Sequence, residues 1–228
     1  MISMEDMKQM LHYEKIAAYV KKNKRDDLRT GILYMAGVTA VGFLTGLMAM
    51  MTELVFSRLP TSEARENPLA LLGMDVNGYI IVIALSSIVG FFGIIAGIAA
   101  THYIATALGG KAKMGEYFFI GGRFLLAVGI ISFVLTTISL VPCIGCIAGI
   151  LALLFLPYSL YLLIVLASTL YTIDKLRAFA AITAGYLLDA IATFAVLSAI
   201  GALTGLPVGM RMIERMMEYY NTMVLPSY

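Results

Sequence analysis

The stretch "YIIVIALSSIVGFFGIIAGIAATHYIATAL", residues Tyr79–Leu108, decides the fold of this chain. It contains no Asp, Glu, Lys or Arg, and it is longer than the roughly 20 apolar residues that carry a helix across the hydrocarbon core of a bilayer. A backbone exposed to lipid has to satisfy its own hydrogen bonds, so we expect this stretch to form a membrane-spanning helix.

Four further stretches share this length and apolar character: Ile32–Leu54, Tyr117–Val141, Gly145–Tyr171 and Ala178–Leu203. The chain is 61% hydrophobic and only 13% charged, which lies outside the usual balance of soluble domains. The connections are short except for Arg58–Gly78, which favours antiparallel neighbours. The sequence therefore predicts an all-α, polytopic membrane protein with a five-helix transmembrane bundle. Residues 1–30 form a cytoplasmic amphipathic and basic segment, 31–205 the transmembrane domain and 206–228 an interfacial tail.

The distribution of basic residues predicts the orientation. With five crossings, 12 of the 16 Lys and Arg residues lie on the side of the N-terminus and four on the other side. Because cytoplasmic loops carry the excess of positive charge, we expect the N-terminus in the cytoplasm and the C-terminus outside or in a lumen. In a prokaryote the membrane would be the cell membrane.

Both ends of the chain have the pattern of helices that lie along a membrane surface. In the N-terminal segment, Met7, Leu11, Ile16 and Val20 recur at near-helical spacing among charged residues. A basic cluster follows, formed by Lys21, Lys22, Lys24 and Arg25. We expect the basic cluster to contact anionic lipid headgroups, and specific phosphoinositide binding is the alternative. The tail alternates Met and Tyr with charge, which predicts a short C-terminal interfacial helix.

The net charge of +2 is too small to suggest nucleic acid as a partner. The most polar interruption after the N-terminal segment is "HYIATALGGKAKMGEYFFIGGRF", His102–Phe124. A phosphate-binding loop would need the frame G-x-x-x-x-G-K-[ST] after a strand, whereas here Ala112 follows Lys111 and a membrane helix comes before. We interpret the glycines as a hairpin between two membrane helices, with lysines in the headgroup layer.

Within this stretch, "ALGGKAKMGEYFFIGG" resembles the segment between the second and third membrane helices of Yip-domain proteins, the Ypt/Rab-interacting family. The matching residues are Gly110, Lys111, Met114, Gly115, Tyr117 and Gly121. His102 resembles a histidine of prokaryotic members, and "VPCIGCIAGIL" resembles their turn into the fourth helix. The resemblance covers about Ile80–Thr193 and points to a prokaryotic-type member.

The resemblance implies a non-enzymatic protein that organises its membrane or binds protein partners, in a trafficking or membrane-shaping role. It implies membrane lipids and other membrane proteins as partners, and no cofactor, metal or catalytic residue. The eukaryotic members carry an Asp-Leu-Tyr-Gly-Pro motif ahead of the first helix, and nothing before Gly31 matches it. Binding to a Rab-type GTPase is therefore not carried over.

Two alternative functions would depend on residues outside the family motif. Asp189, Arg123 and His102 fall within predicted spans, where ionisable side chains are costly and find partners in the bundle interior. We expect Arg123 to reach toward Asp189, with His102 close by; this intramembrane polar cluster would fix helix register, or serve a small transporter or channel. Cys143 and Cys146 could make a thiol oxidoreductase, although such enzymes usually need a second cysteine pair.

Small residues recur at helix-packing spacing, in the pairs Gly42 with Gly46, Gly93 with Gly97, Gly145 with Gly149, and Gly201 with Gly205. Close backbone approach at such residues drives helix association in bilayers. We expect most of these pairs to be used inside the monomer, and a remaining pair to be able to form a homo-oligomer.

Overall fold

The computed structural model describes residues 3–56, 76–141, 144–206, 208–210, 213, 214 and 217. Over this part of the chain it is 88% helical and has no strands. The helices are α1 (Met4–Met10), α2 (Tyr13–Asn23), α3 (Leu28–Phe56), α4 (Val76–Ala107), α5 (Met114–Ser139), α6 (Gly145–Tyr171) and α7 (Lys175–Thr204).

Within the described ranges, five helices, α3 to α7, are long and apolar enough to cross a membrane. They confirm the predicted all-α class and the five predicted spans. α6 has the predicted bounds, and the other four begin a few residues before the predicted span. Asp27 caps the first of them, since its carboxylate accepts hydrogen bonds from the Thr30 N–H (3.0 Å) and the Thr30 hydroxyl (2.7 Å). These bonds lower the pKa of Asp27.

The chain forms two compact units. The first comprises Met1–Gly42 and Phe91–Asp189, and the second comprises Phe43–Gly90 and Ala190–Tyr228. The first unit contains the main apolar core. Its largest fully buried side chains are those of Tyr19, Tyr171, Phe118, Phe124, Met10, Ile16, Met35, Ile120, Leu162, Leu166, Leu170 and Ile182.

Much of the apolar surface of the spans is not covered by protein. On α6, Leu153, Leu154 and Leu156 are 74%, 63% and 67% exposed, whereas Leu162 and Leu166 further along the same helix are fully buried. A soluble protein rarely exposes such a contiguous apolar surface. In a bilayer this surface contacts lipid tails, while helical hydrogen bonding satisfies the backbone.

The N-terminal segment differs from the prediction of a single helix lying on the membrane surface. It forms two helices, and α2 packs against α6 while α1 packs against α2 and α5. Ile16 and Val20, which were expected to face lipid, are 0% and 1% exposed, and the Tyr158 hydroxyl on α6 donates a 2.7 Å hydrogen bond to the Leu11 carbonyl. The apolar face of the segment is therefore buried against protein and not against lipid. Amphipathic periodicity alone does not distinguish the two.

The predicted C-terminal interfacial helix lies largely outside the described residues. Just after α7, in the second unit, Val208 is 3% exposed and the Met210 N–H donates a 3.1 Å hydrogen bond to the Ser198 hydroxyl. The residues that follow α7 most closely are therefore held against that helix.

The small residues have different environments. A Cβ atom at Gly46 would lie 3.1 Å from the Ile83 side chain in the second unit, and one at Gly97 would lie 2.9 Å from the Asp189 Cβ in the first. These glycines support close helix contacts inside the chain. At Gly42 and Gly149 no atom of the described residues lies within 4 Å of an added Cβ.

Candidate functional site

Arg123 lies in α5, nine residues after the first residue of the helix, which is about 14 Å along the axis. Its Nη2 atom donates a 2.7 Å hydrogen bond to the Asp6 Oδ2 atom, with the two side chains 11% and 26% exposed. The guanidinium also lies 5.7 Å from the centre of the Tyr19 ring, within cation–π range. The expected partner of Arg123 was Asp189, and that prediction was wrong. The charge is compensated by Asp6 from the N-terminal segment instead.

The Asp6 carboxylate is held in place by its own helix. It accepts hydrogen bonds from the Ser3 N–H (3.1 Å) and the Ser3 hydroxyl (2.7 Å), and that hydroxyl accepts one from the Asp6 N–H (3.1 Å). This is a capping box at the start of α1. The bonds from Ser3, together with the charge of Arg123, lower the pKa of Asp6. The carboxylate is therefore ionised at neutral pH, as an ion pair requires.

The Arg123 environment also contains buried polar atoms. The Tyr19 hydroxyl and the Arg123 Nε are buried and have no hydrogen-bond partner among the described residues. Burial raises the pKa of Tyr19 to about 12, so its hydroxyl stays protonated. Burying such atoms without a partner costs free energy, which the burial of apolar side chains such as Ile16 and Val20 around them offsets.

The hairpin between α4 and α5 contains the residues that carry the family resemblance. Gly109 has φ +96°, a conformation that favours glycine, and the Gly110 N–H donates to the Ala105 carbonyl at 2.9 Å. A Cβ at Gly110 would lie 2.7 Å from that oxygen. The Lys111 N–H donates to the Tyr171 carbonyl at the end of α6 (3.1 Å), and the Lys111 side chain is exposed. The hairpin prediction is confirmed, and both glycines are used for the turn.

The start of α5 is joined to the linker between α2 and α3. A Cβ at Gly115 would collide with the Asp26 carboxylate, so only glycine allows this approach. Lys113 forms an ion pair with Asp26 at 3.3 Å, and Lys24 forms one with Glu116 at 3.1 Å. We call the surface formed by helices α1 and α2, the linker 24–27 and the α4–α5 hairpin 108–113 the N-terminal face.

Aromatic side chains lie beneath the N-terminal face. Tyr117 is 3% exposed, and its ring centre lies 5.3 Å from that of Tyr171 in an edge-to-face contact. The Tyr171 hydroxyl lies 2.8 Å from the His102 Nδ1 atom. The ring of Tyr117 also lies 3.6 Å from the position of a Cβ at Gly121. Two of the motif residues, Gly110 and Tyr117, therefore contact Tyr171, which also contacts His102.

The basic cluster follows the buried face of α2. Lys21, Lys22, Lys24 and Arg25 are all exposed. Within the described part of the chain, Lys24 is the member for which an ion pair is found, with Glu116 at 3.1 Å. The other three side chains extend from the surface, and nothing in the structure assigns them a lipid or a protein partner.

A cavity of about 190 Å³ lies inside the first unit. It is lined by Val38, Ile94, Gly97, Ile98, Thr101, Tyr117, Gly121, Leu125, Leu163, Tyr186 and Asp189. Neither Arg123 nor His102 lines it, so the three members of the expected polar cluster have different surroundings: Arg123 contacts Asp6, His102 contacts Tyr171, and Asp189 lines the cavity.

Sequence reasoning missed Asp6, Tyr171 and Gly185. Asp6 had a readable signal, since Ser3-x-x-Asp6 has capping-box spacing. Tyr171 and Gly185 had none, because their roles depend on contacts with residues distant in the sequence. A Cβ at Gly185 would collide with the Thr101 hydroxyl, so α7 approaches α4 closely at this glycine.

The cysteine alternative falls partly outside the described residues. Cys143 is not described, and Cys146, near the start of α6, is free and exposed. Within the described ranges, no group of three or more His, Cys, Asp or Glu residues could hold a metal ion.

Comparison with known proteins identifies no relative of this chain. No protein-family model, no characterised protein and no solved structure matches this chain. The Yip-domain resemblance, drawn from the motif residues, therefore stays a prediction.

Proposed function

We propose that this chain is a non-enzymatic, multi-pass membrane protein of Yip-domain type that organises its membrane by binding other membrane proteins. The observation that carries the proposal is the construction of the N-terminal face. Two helices outside the spans are fixed to the bundle by a buried apolar face and by the Asp6–Arg123 pair. A preorganised surface of this kind loses little conformational entropy when a partner binds.

The chemistry of the surface supports partners with negative charge. Lys21, Lys22 and Arg25 extend from α2 and the residues after it, and the exposed Lys111 lies on the neighbouring hairpin. With the N-terminus in the cytoplasm, these side chains would contact anionic headgroups and acidic segments of partner proteins together. A second copy of the chain is one such membrane partner.

A photo-crosslinking experiment in native membranes tests the proposal. A photoreactive residue at position 22 is expected to give discrete protein adducts, and one at Leu153, which is 74% exposed on α6, is expected to give lipid adducts. Charge reversal of Lys21 and Arg25 should remove the adducts formed at position 22. Protein adducts that survive charge reversal, or the same adducts from both positions, would contradict the proposal.

Transport is the second candidate, and the cavity beside Asp189 is the observation that favours it. A relay through Asp189, Arg123 and His102 would need these groups next to each other, whereas Arg123 is paired with Asp6. Proton flux in liposomes that is abolished by Asp189→Asn, with folding unchanged, would favour transport over the organising role.

A further inference from the structure

We propose that the cavity beside Asp189 is a binding site for a small organic ammonium ion with an apolar body. The inference does not depend on the proposed function, because the N-terminal face and the cavity are formed by different contacts. It rests on the chemistry of the lining, the size of the cavity and the way two glycines position the carboxylate.

The lining combines one carboxylate with apolar and aromatic surface. Among the described residues that line the cavity, Asp189 is the acidic one, and none is Lys, Arg or His. Tyr117 and Tyr186 contribute aromatic rings, whose faces attract cations. A few polar groups in a mostly apolar wall are typical of small-molecule sites. The combination selects a ligand with one positive charge and a hydrocarbon body.

The hydroxyl group of Thr101 has a defined role in this lining. It donates a 2.8 Å hydrogen bond to the Gly97 carbonyl, and Thr101 is 4% exposed. With its hydrogen committed, the oxygen faces other groups with its lone pairs. The Thr101 hydroxyl therefore does not donate a hydrogen bond to an anion in the cavity.

The volume limits the ligand to a single small ring or a branched alkyl group. The cavity measures about 190 Å³, slightly more than an engineered apolar cavity of roughly 150 Å³ that binds benzene. Drug-sized ligands need pockets of roughly 300 Å³ or more. Tyr186 lines the cavity and is 45% exposed, so the cavity extends to the surface at this residue.

The position of Asp189 is set by close contact between α4 and α7. A Cβ at Gly97 would lie 2.9 Å from the Asp189 Cβ and 3.3 Å from the Gly185 carbonyl. A side chain at either glycine would separate the helices or displace the carboxylate. The local geometry thus keeps an acidic group at the wall of an apolar cavity, and an ionisable residue within a membrane span marks a functional site.

The experiment compares benzylammonium with benzyl alcohol, its neutral analogue of similar shape, on the full chain purified in detergent. Calorimetry is expected to give a Kd for benzylammonium at least about ten-fold lower than that for the alcohol, since hydrogen bonds to charged groups contribute more than neutral ones. Asp189→Asn should remove this preference and leave binding of the alcohol unchanged. Gly121→Leu, which places a side chain at the cavity wall, should weaken both ligands. Gly149→Ala, at an open position outside the lining, is the matched control and should change neither.

A second measurement needs no variant. A hydrophobic carbodiimide modifies carboxyl groups in apolar surroundings, and mass spectrometry locates the modification. Benzylammonium should slow the modification of Asp189 more than an equal concentration of the alcohol does. Equal affinity for the two ligands, equal protection, or an unchanged preference in Asp189→Asn would overturn the proposal and assign the cavity to neutral apolar molecules such as lipid tails. Failure of the crosslinking experiment at position 22 would leave this result unaffected.

Discussion

The Asp6–Arg123 pair predicts a large asymmetry between single and double substitutions. Asp6→Asn leaves a guanidinium that is 11% exposed without its 2.7 Å carboxylate partner. Breaking a buried pair from one side typically costs 3 to 5 kcal/mol, and because Asp6 is 26% exposed we expect about 3 kcal/mol, the lower end of that range. Arg123→Gln should cost less, about 1 to 2 kcal/mol, because Ser3 still hydrogen-bonds the Asp6 carboxylate. The double variant should lose about 1 to 2 kcal/mol, since no buried charge remains.

The free energies of unfolding can be measured by equilibrium titration with a denaturing detergent in mixed micelles, followed by circular dichroism. The Asp174–Arg177 pair is the matched control, because its side chains are 57% and 58% exposed. Its double-substitution cycle should give a coupling energy within about 1 kcal/mol of zero. The reasoning is refuted if the losses of Asp6→Asn and Arg123→Gln simply add in the double variant. A clear coupling energy between Arg123 and Asp189 in the same kind of cycle would instead support the pair that was expected from the sequence.

Three further predictions concern the same region. Gly110→Ala should destabilise the chain by about 1 to 3 kcal/mol through overpacking, whereas Gly149→Ala, with no atom of the described residues within 4 Å, should be neutral or slightly stabilising; equal effects in thermal unfolding would contradict the assigned contacts. The lowered pKa of Asp6 means that its contribution to stability is complete above the ordinary value of about 3.9 and is lost as the pH falls through the folded-state pKa. The protection factors of the α1 amides, which correct for the intrinsic pH dependence of exchange, should therefore fall only below about pH 4, and unchanged protection there would remove Asp6 from the role. In a cysteine-free background, Lys22→Cys should be protected from an impermeant reagent added outside and Thr204→Cys should react, and the reverse pattern would invert the orientation.

Much of the fold could be predicted because the bilayer constrains the length, the hydropathy and the backbone conformation of each span. The run Gly145–Tyr171 gave both ends of α6, since a span has to be long, apolar and helical whatever its neighbours are. The glycines at the α4–α5 hairpin were equally readable, because a positive φ such as that of Gly109 requires a particular residue type.

The candidate site was less predictable. A charged residue such as Arg123 within a predicted span indicates that it has a partner. The sequence does not say which one, because Asp6 precedes Arg123 by 117 residues and Asp189 follows it by 66 residues. Both carboxylates were chemically suitable. The periodicity of the N-terminal segment likewise predicted an apolar face, but it did not indicate whether that face contacts lipid or protein. Ile16 and Val20 would be removed from water in either case.

The sequence by itself determined the number of spans, their helical state and the position of the hairpin, because these depend on local length, hydropathy and backbone conformation. Only the tertiary structure decided that α1 and α2 dock on α5 and α6, that Asp6 neutralises Arg123, and that Asp189 lines a cavity beside Gly97. The physical reason is that helices in a bilayer choose their neighbours through short-range contacts at small residues and buried charges. Such contacts depend on which side chains meet in space, and one chain's hydropathy pattern does not contain that information.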